Sequence, residues 1–354
     1  MRALVAVLAR GQTVSVPGTP GQGPLPAGPP PFDAVHVEHL RGACYGLAVR
    51  DAAPELPVVW DAVDCISRLF GQAAREAPTL RSRLITRLEL ARTQRYEGGL
   101  PARFARTAIT SQADRDALQA LAEAAHRPPA APIAIVPNGV DTDYFAPPAL
   151  GQAARDPATI LFTGKLGYHA NVAAAVHLVN HVMPRVWATR PDALVVLAGA
   201  EPAAAVRALA DPAPVPGAQP HAATTPDTVS TPTPARVTVT GAVPDLRPYL
   251  HTATVAAVPL VYGVGIQNKV LEAMACAVPV VASRSAAAAL TAQPGRDLLL
   301  GDTPDQLAAA IIALLDDPAR AAAIGAAGRA YVEREHGWDR AVARFEGLYE
   351  AAAS

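Results

Sequence analysis

Residues 259–283 read PLVYGVGIQNKVLEAMACAVPVVAS. The stretch parses as strand, glycine loop, helix, strand. Thr254 to Leu260 is an apolar run suited to a buried parallel strand. Gly263 and Gly265 bracket a loop where backbone can come close to a ligand. A helix is predicted from about Ile266 to Cys276, with Val270, Leu271 and Met274 on its apolar face. Lys269 and Glu272, three residues apart, project from neighbouring turns of one face, where they can pair with each other. Pro279 ends the helix and Val280 to Ala282 is the next strand. A helix start with free N–H groups and a nearby ammonium suits a phosphate. A carboxylate one turn on suits the vicinal diol of a ribose. Together these groups describe a site for a nucleotide diphosphate.

Outward from that stretch, the strand–helix alternation is regular from Ala158 on. TILFTG (159–164), ALVVLAG (193–199) and RVTVTG (236–241) read as strands. A helix is expected over 171–187, opened by Asn171 as its cap. Such alternation with short loops means a parallel, doubly wound α/β sheet, whose ligands sit beyond the carboxyl ends of the strands. The loops at Gly164, Gly241 and Gly263 each follow a strand and can converge there. Upstream, FDAVHV (32–37), LPVVWD (56–61), RTAIT (106–110) and 133–136 read as strands. An Arg-rich helical region (66–100) is broken near Pro78. Ser111 with Asp114 three residues on reads as a capping box.

The run G-I-Q-N-K-V-L-E-A-M-A resembles the donor-site signature of the family 4 glycosyltransferases, which have the GT-B fold of two Rossmann-like domains facing across a cleft. It is most similar to the bacterial sugar transferases associated with exopolysaccharide and exosortase (PEP-CTERM) systems. PNGVDTDYF (137–145) is the second point of resemblance, since such a segment closes the N-terminal domain in that family. Asn138–Gly139 also reads simply as a turn. The family pattern Glu-x7-Glu places its second Glu on Glu272 and its first on Val264, so the carboxylate that contacts the donor sugar is missing. The resemblance implies residues 32–148 as an N-terminal, acceptor-side domain and 149–337 as the donor-binding domain. It implies 338–354 as a helix crossing back. It also implies that the N-terminal domain is incomplete, because a further strand–helix–strand unit precedes FDAVHV in that subgroup. Residues 1–31 and 211–235 are rich in Pro, Gly, Thr and Ala and are expected to be irregular.

Composition narrows the classes. The 354 residues allow two domains. A net charge of −1 argues against a nucleic-acid partner. Three scattered Cys give neither a disulfide framework nor a zinc pattern, so a cytoplasmic setting is expected. No apolar run reaches the roughly 18 residues of a membrane span. No G-x-G-x-x-G follows the first strand of either half, which disfavours a dinucleotide enzyme.

By the resemblance, the donor side takes Glu272 for ribose, and Lys269 and Lys165 for the diphosphate. Gly263, Gly265, Ile266 and Gly164 lend backbone groups, and Val243 lies where the base is read through main chain. Glu38 or His39 is the catalytic-face candidate, with structural polar residues at a strand end as the alternative. Asp61 and Asp64 meet the acceptor or cap the following helix. Arg81, Arg83, Arg87, Arg92 and Arg95 touch anionic lipid at the inner membrane or form a solvated face with Glu89 and Glu97. The implied reaction is retaining transfer of a hexosyl group from a nucleotide-sugar donor to a saccharide or lipid-linked saccharide acceptor, with neither metal nor cofactor. A nucleotide-binding remnant, and a sugar-nucleotide hydrolase or epimerase, are the other readings.

Overall fold

The computed structural model describes residues 32–76, 80–148, 155–156, 158–210 and 236–354. The irregular segments expected at 1–31 and 211–235 lie outside these.

The N-terminal unit runs β1 (Val35–Glu38), α1 (His39–Ala52), β2 (Val58–Asp61), α2 (Ile66–Glu76), α3 (Leu80–Gly98), β3 (Arg106–Ile109), α4 (Gln112–Ala124) and β4 (Ala134–Ile135). Its strands pair in parallel in the order β1-β2-β3-β4. Trp60 and Phe104 anchor its core with their ring centroids 5.7 Å apart. The Trp60 indole N–H donates to the His39 carbonyl at 3.2 Å, tying the end of β1 to β2.

The C-terminal unit continues with β5 (Thr159–Thr163), α5 (His169–His177), α6 (Met183–Thr189), β6 (Leu194–Ala198), α7 (Ala204–Arg207), β7 (Val237–Gly241), α8 (Arg247–Thr252) and β8 (Val255–Val258). Then come α9 (Asn268–Ala275), β9 (Val280–Ala282), α10 (Arg284–Ala287), β10 (Leu299–Leu300), α11 (Pro304–Asp316), α12 (Pro318–Glu335) and α13 (Trp338–Ala353). Six parallel strands lie in the order β10-β9-β8-β5-β6-β7. The central strands β5, β8 and β9 are buried along their whole length, as expected where helices cover both faces. Arg155 joins two helix ends: its guanidinium donates to the carbonyls of Ala253 (2.7 Å) after α8 and Ala277 (2.8 Å) after α9.

Three local expectations are corrected. Asn171 does not cap its helix. The helix starts at His169, and Asn171 lies inside it, buried, with its side chain donating to the Lys165 carbonyl. That helix reaches α6 through one π-helical turn, Leu178–Val182, which no periodicity announced. Glu97 is not on a solvated face: it is fully buried and accepts the N–H groups of Ile66 and Ser67, each at 2.8 Å. A carboxylate far along the chain thus caps α2, because the end of α3 packs beside that helix start. Burial pushes the Glu97 carboxyl up, against those hydrogen bonds. Arg87, Arg92 and Arg95 are exposed.

The chain passes between the units twice. On the first passage the Val140 N–H donates to the His336 carbonyl at 2.8 Å, and Val140 bridges Gly337. The buried His336 ring joins the Tyr331 hydroxyl (2.9 Å) to the Asn138 carbonyl (2.9 Å). Gly139 is needed here because a Cβ would stand 2.7 Å from the Trp338 ring, rather than because of a left-handed turn. On the second passage α13 returns to the N-terminal unit, where the Tyr349 hydroxyl meets His36 Nδ1 at 3.0 Å and Phe345 packs edge-on against the same imidazole.

Candidate functional site

The residues assigned to the donor side lie beyond the carboxyl ends of β5, β7 and β8 and at the start of α9. Gly164 ends β5 with φ +146°, and a Cβ there would stand 2.9 Å from Asn171 Nδ2 and 3.1 Å from Lys269 Cε. The Asn171 amide links two elements: it donates to the Lys165 carbonyl at 3.0 Å and accepts from Lys269 Nζ at 2.9 Å. The Lys269 ammonium also stands 5.7 Å from the Phe162 ring centroid. Burial lowers the Lys269 pKa to about 8, with Glu272 opposing that shift. Burial raises the Glu272 pKa, with Lys269 opposing. The two groups feel each other's charge, yet no ion pair joins them among the described residues; the ammonium instead bonds Asn171 and Gln267. The pairing that their spacing allows, the alternative to ligand binding, is not made; the ammonium is tied to α5 instead. Lys165 is turned outward, 61% exposed, and pairs with Glu201 at 2.9 Å. Val243 is half-buried beyond Gly241, whose carbonyl accepts from the Gly199 N–H at 3.2 Å. Ile266 is buried in the wall of the core.

The glycine loop faces the N-terminal unit. The Gly263 N–H donates to Gln72 Oε1 of α2 at 2.9 Å, and the Gly265 N–H to Asp114 Oδ2 of α4 at 3.0 Å. Asp114 is fully buried and held by Ser111 Oγ (2.6 Å) and Arg68 (3.0 Å). In the sequence Asp114 stands out only as a capping residue. The cap is real, since Ser111 Oγ accepts the Asp114 N–H, but the carboxylate spends its other bonds on Arg68 and on the facing loop. Nothing along one chain signals a contact made 151 residues away.

Asp61 and Asp64 separate in role. Asp61 is buried and accepts the Val63 N–H at 2.9 Å; burial raises its pKa against that bond. Asp64 lies against Gly265, close enough that a Cβ on that residue would stand 1.7 Å from Asp64 Oδ1. Neither caps α2, whose start Glu97 holds. Burial, then the charges of Asp114, Asp61 and Glu97, push Asp64 up to about 7, against the pull of Arg68.

That shift carries a stability consequence. An unfolded Asp releases its proton near pH ~3.9, whereas folded Asp64 keeps it to about 7. The folded state binds more protons across that window, so stability is fully present below pH ~4 and falls as pH rises to about 7. Asp64→Asn is expected to remove this slope. The variant should match wild type near pH 4 and be more stable by about 2 kcal/mol at pH 8, allowing for partial solvation. Denaturant titrations at the two pH values check this, and parallel pH dependences in both proteins would contradict it.

Glu38 and His39 sit at the rim of a cleft of about 640 Å³ between the units. Both are exposed and stand 4.0 Å apart. His39 is held at φ +61°, an unusual conformation at the end of β1. Leu40, Ile66, Leu69 and Phe70 give the cleft an apolar floor, and Tyr168 and His169 face it from the C-terminal unit. His36 is spent on α13. Among the described residues no group of His, Cys, Asp or Glu side chains is arranged to hold a metal, and no helix is long and apolar enough to cross a membrane.

This arrangement has relatives. Residues 157–317 match the family model described as Glycosyl transferases group 1. That stretch runs from β5 to α11 of the C-terminal unit and is under half of the chain. Over 80 residues the chain is 50% identical to the GDP-mannose-dependent monoacylated alpha-(1-6)-phosphatidylinositol monomannoside mannosyltransferase of Corynebacterium glutamicum, covering 22% of this chain and 20% of the relative. Over 237 residues it is 34% identical to the GDP-mannose-dependent alpha-(1-6)-phosphatidylinositol monomannoside mannosyltransferase of Mycobacterium tuberculosis, covering 61% of this chain and 55% of the relative. The two units together resemble sucrose-phosphate synthase from Thermosynechococcus elongatus, with a TM-score of 0.64 at 21% identity over 92% of this chain and 75% of that one. They also resemble Anabaena HepE in complex with UDP and glucose, with a TM-score of 0.62 at 15% identity over 90% and 78%. The fold is GT-B.

Proposed function

We propose that the protein transfers a sugar from a nucleotide-diphosphate donor to a saccharide acceptor. The observation that carries this is the cluster of Gly164, Asn171, Lys269 and Glu272 at the strand ends of the glycosyltransferase domain. The ammonium and the N-terminus of α9 suit the diphosphate, and the carboxylate one turn on suits a ribose diol. The same groups suit departure of the diphosphate, since positive charge fixed in a half-dry site stabilises the leaving group without reorganisation.

The finer reading is a retaining, metal-independent hexosyl transfer to a lipid-linked saccharide, in exopolysaccharide or cell-surface glycan synthesis of the exosortase-associated type. The cleft beside Glu38 and His39 supports it, because an apolar floor with a polar rim fits an amphiphilic acceptor. One observation favours a binding-only protein instead: Val264 stands where the family carries a carboxylate toward the sugar.

Titration with GDP, UDP, GDP-mannose and UDP-glucose, followed by radiolabel transfer to membrane extracts, separates the two. Binding of one nucleotide with label appearing in lipid supports transfer. Binding without turnover supports the binding-only protein. Release of free sugar without acceptor would indicate a hydrolase. No binding to folded protein would overturn the donor site.

A further inference from the structure

The donor loop has two electrically different ends. At the helix end stand Lys269 and the first turn of α9. At the other end, around Val264 and Gly265, the N-terminal unit places two carboxyl groups, Asp64 and Asp114. A diphosphate belongs at the first end and is repelled from the second. Sugar hydroxyls, which donate well to carboxylates, belong at the second.

The two carboxyl groups are not equivalent. Asp114 is committed, with Ser111, Arg68 and the Gly265 N–H on its oxygens. The Asp64 carboxyl accepts no hydrogen bond among the described residues, although it abuts the loop. Its placement is enforced. Val63, a β-branched residue, sits at φ +61°, and the Asp64 N–H donates back to the Ala62 carbonyl at 2.7 Å. This is a γ-turn of the strained hand, costing on the order of 1–3 kcal/mol. It persists because its surroundings hold it. The Val63 N–H is bonded to Asp61 (2.9 Å), and the Val63 carbonyl receives both the N–H (3.0 Å) and the hydroxyl (2.8 Å) of Thr110. The turn aims the Asp64 side chain across the cleft at Gly265.

We propose that Asp64, reaching the glycine loop from the opposite unit, reads a hydroxyl of the donor sugar. This rests on the donor-site reading above. Gly265 then has a double reason to be glycine: its φ is +64°, and any side chain would occupy the place of the Asp64 carboxyl. Donor entry requires the units to part, so that the carboxyl exchanges its contact with Gly265 for one with the sugar. With a pKa near neutrality, Asp64 can accept from or donate to that hydroxyl.

The test is calorimetric titration of the full chain with a nucleoside diphosphate (GDP or UDP, whichever binds) and its hexose conjugate (GDP-mannose or UDP-glucose). Wild type, Asp64→Asn, Asp64→Ala and Glu272→Ala are compared. Both Asp64 variants are expected to bind the nucleotide sugar about tenfold more weakly while holding the bare nucleotide within twofold, because one charge-assisted bond is lost. Glu272→Ala should weaken both ligands together. One monodeoxy donor of the series should be bound equally by wild type and Asp64→Asn, since its recognised hydroxyl is already gone. Equal weakening of nucleotide and nucleotide sugar by Asp64→Asn, no weakening of either, or sensitivity retained by every monodeoxy donor would each overturn the proposal while leaving the donor site standing. Failure of wild type to bind any nucleotide would overturn both.

Discussion

Glu272→Ala is expected to weaken nucleotide binding by about a hundredfold. Two charge-assisted hydrogen bonds to a ribose diol, each worth roughly 1.5 kcal/mol or more, give about 3 kcal/mol together. The substitution should leave the fold intact. Burial already disfavours the Glu272 charge, and no hydrogen bond to its carboxylate is made among the described residues, so its removal strands no partner. Thermal unfolding without ligand should therefore not fall, while the shift that nucleotide produces in wild type disappears. Unaltered affinity in a folded Glu272→Ala protein would move the nucleotide away from α9 altogether.

Gly199→Ala is expected to destabilise the C-terminal unit by roughly 3 kcal/mol, combining backbone strain with overpacking. Gly199 follows β6 at φ +152°, and a Cβ would stand 1.7 Å from the Gly164 carbonyl oxygen. That neighbour is main chain at the end of β5 and cannot swing aside as a side chain can. The control is Gly241→Ala, at φ +71° with nothing within 4 Å of its Cβ, which should cost only about 1 kcal/mol. Calorimetric scans of the two variants decide it. Equal melting temperatures would show that the β5 and β6 ends tolerate separation, and that the floor of the donor site is softer than its geometry implies.

Much of this was legible in the sequence because parallel sheets write themselves plainly. Strands buried on both faces become short runs such as VAAV and VVA, and Val280–Ala282 falls where Pro279 and the next polar residue bound it. Glu272 and Lys269 were legible because one short helix carries both, so local spacing sets their relation. The rest depended on contacts between distant segments. Glu97 looked like a surface residue because α3 shows almost no apolar stripe and its partner is the start of another helix. Asn171 looked like a cap because Asn favours caps. Its side chain is instead consumed by Lys165 and Lys269, a three-way meeting that no window of residues contains. Asp114 and Asp64 were legible only as local turn and cap residues. Their approach to Gly265 depends on how one unit faces the other.

The paired passage of the chain at Asn138–Val140 and His336–Trp338 limits how the cleft can open. A single tether would leave the units a ball joint, free to tilt and swivel in every direction. Two tethers held side by side by the Val140–His336 bond, with Gly139 seated on the Trp338 ring, act as adjacent pins on one door. Torsion about the line through them spares those two contacts, and the bonds it breaks include those from Gln72 and Asp114 to the glycine loop. A sideways shear of one passage past the other would pull the His336 ring from the Asn138 carbonyl. A closure guided in this way would bring Asp64 back to the same point on the glycine loop.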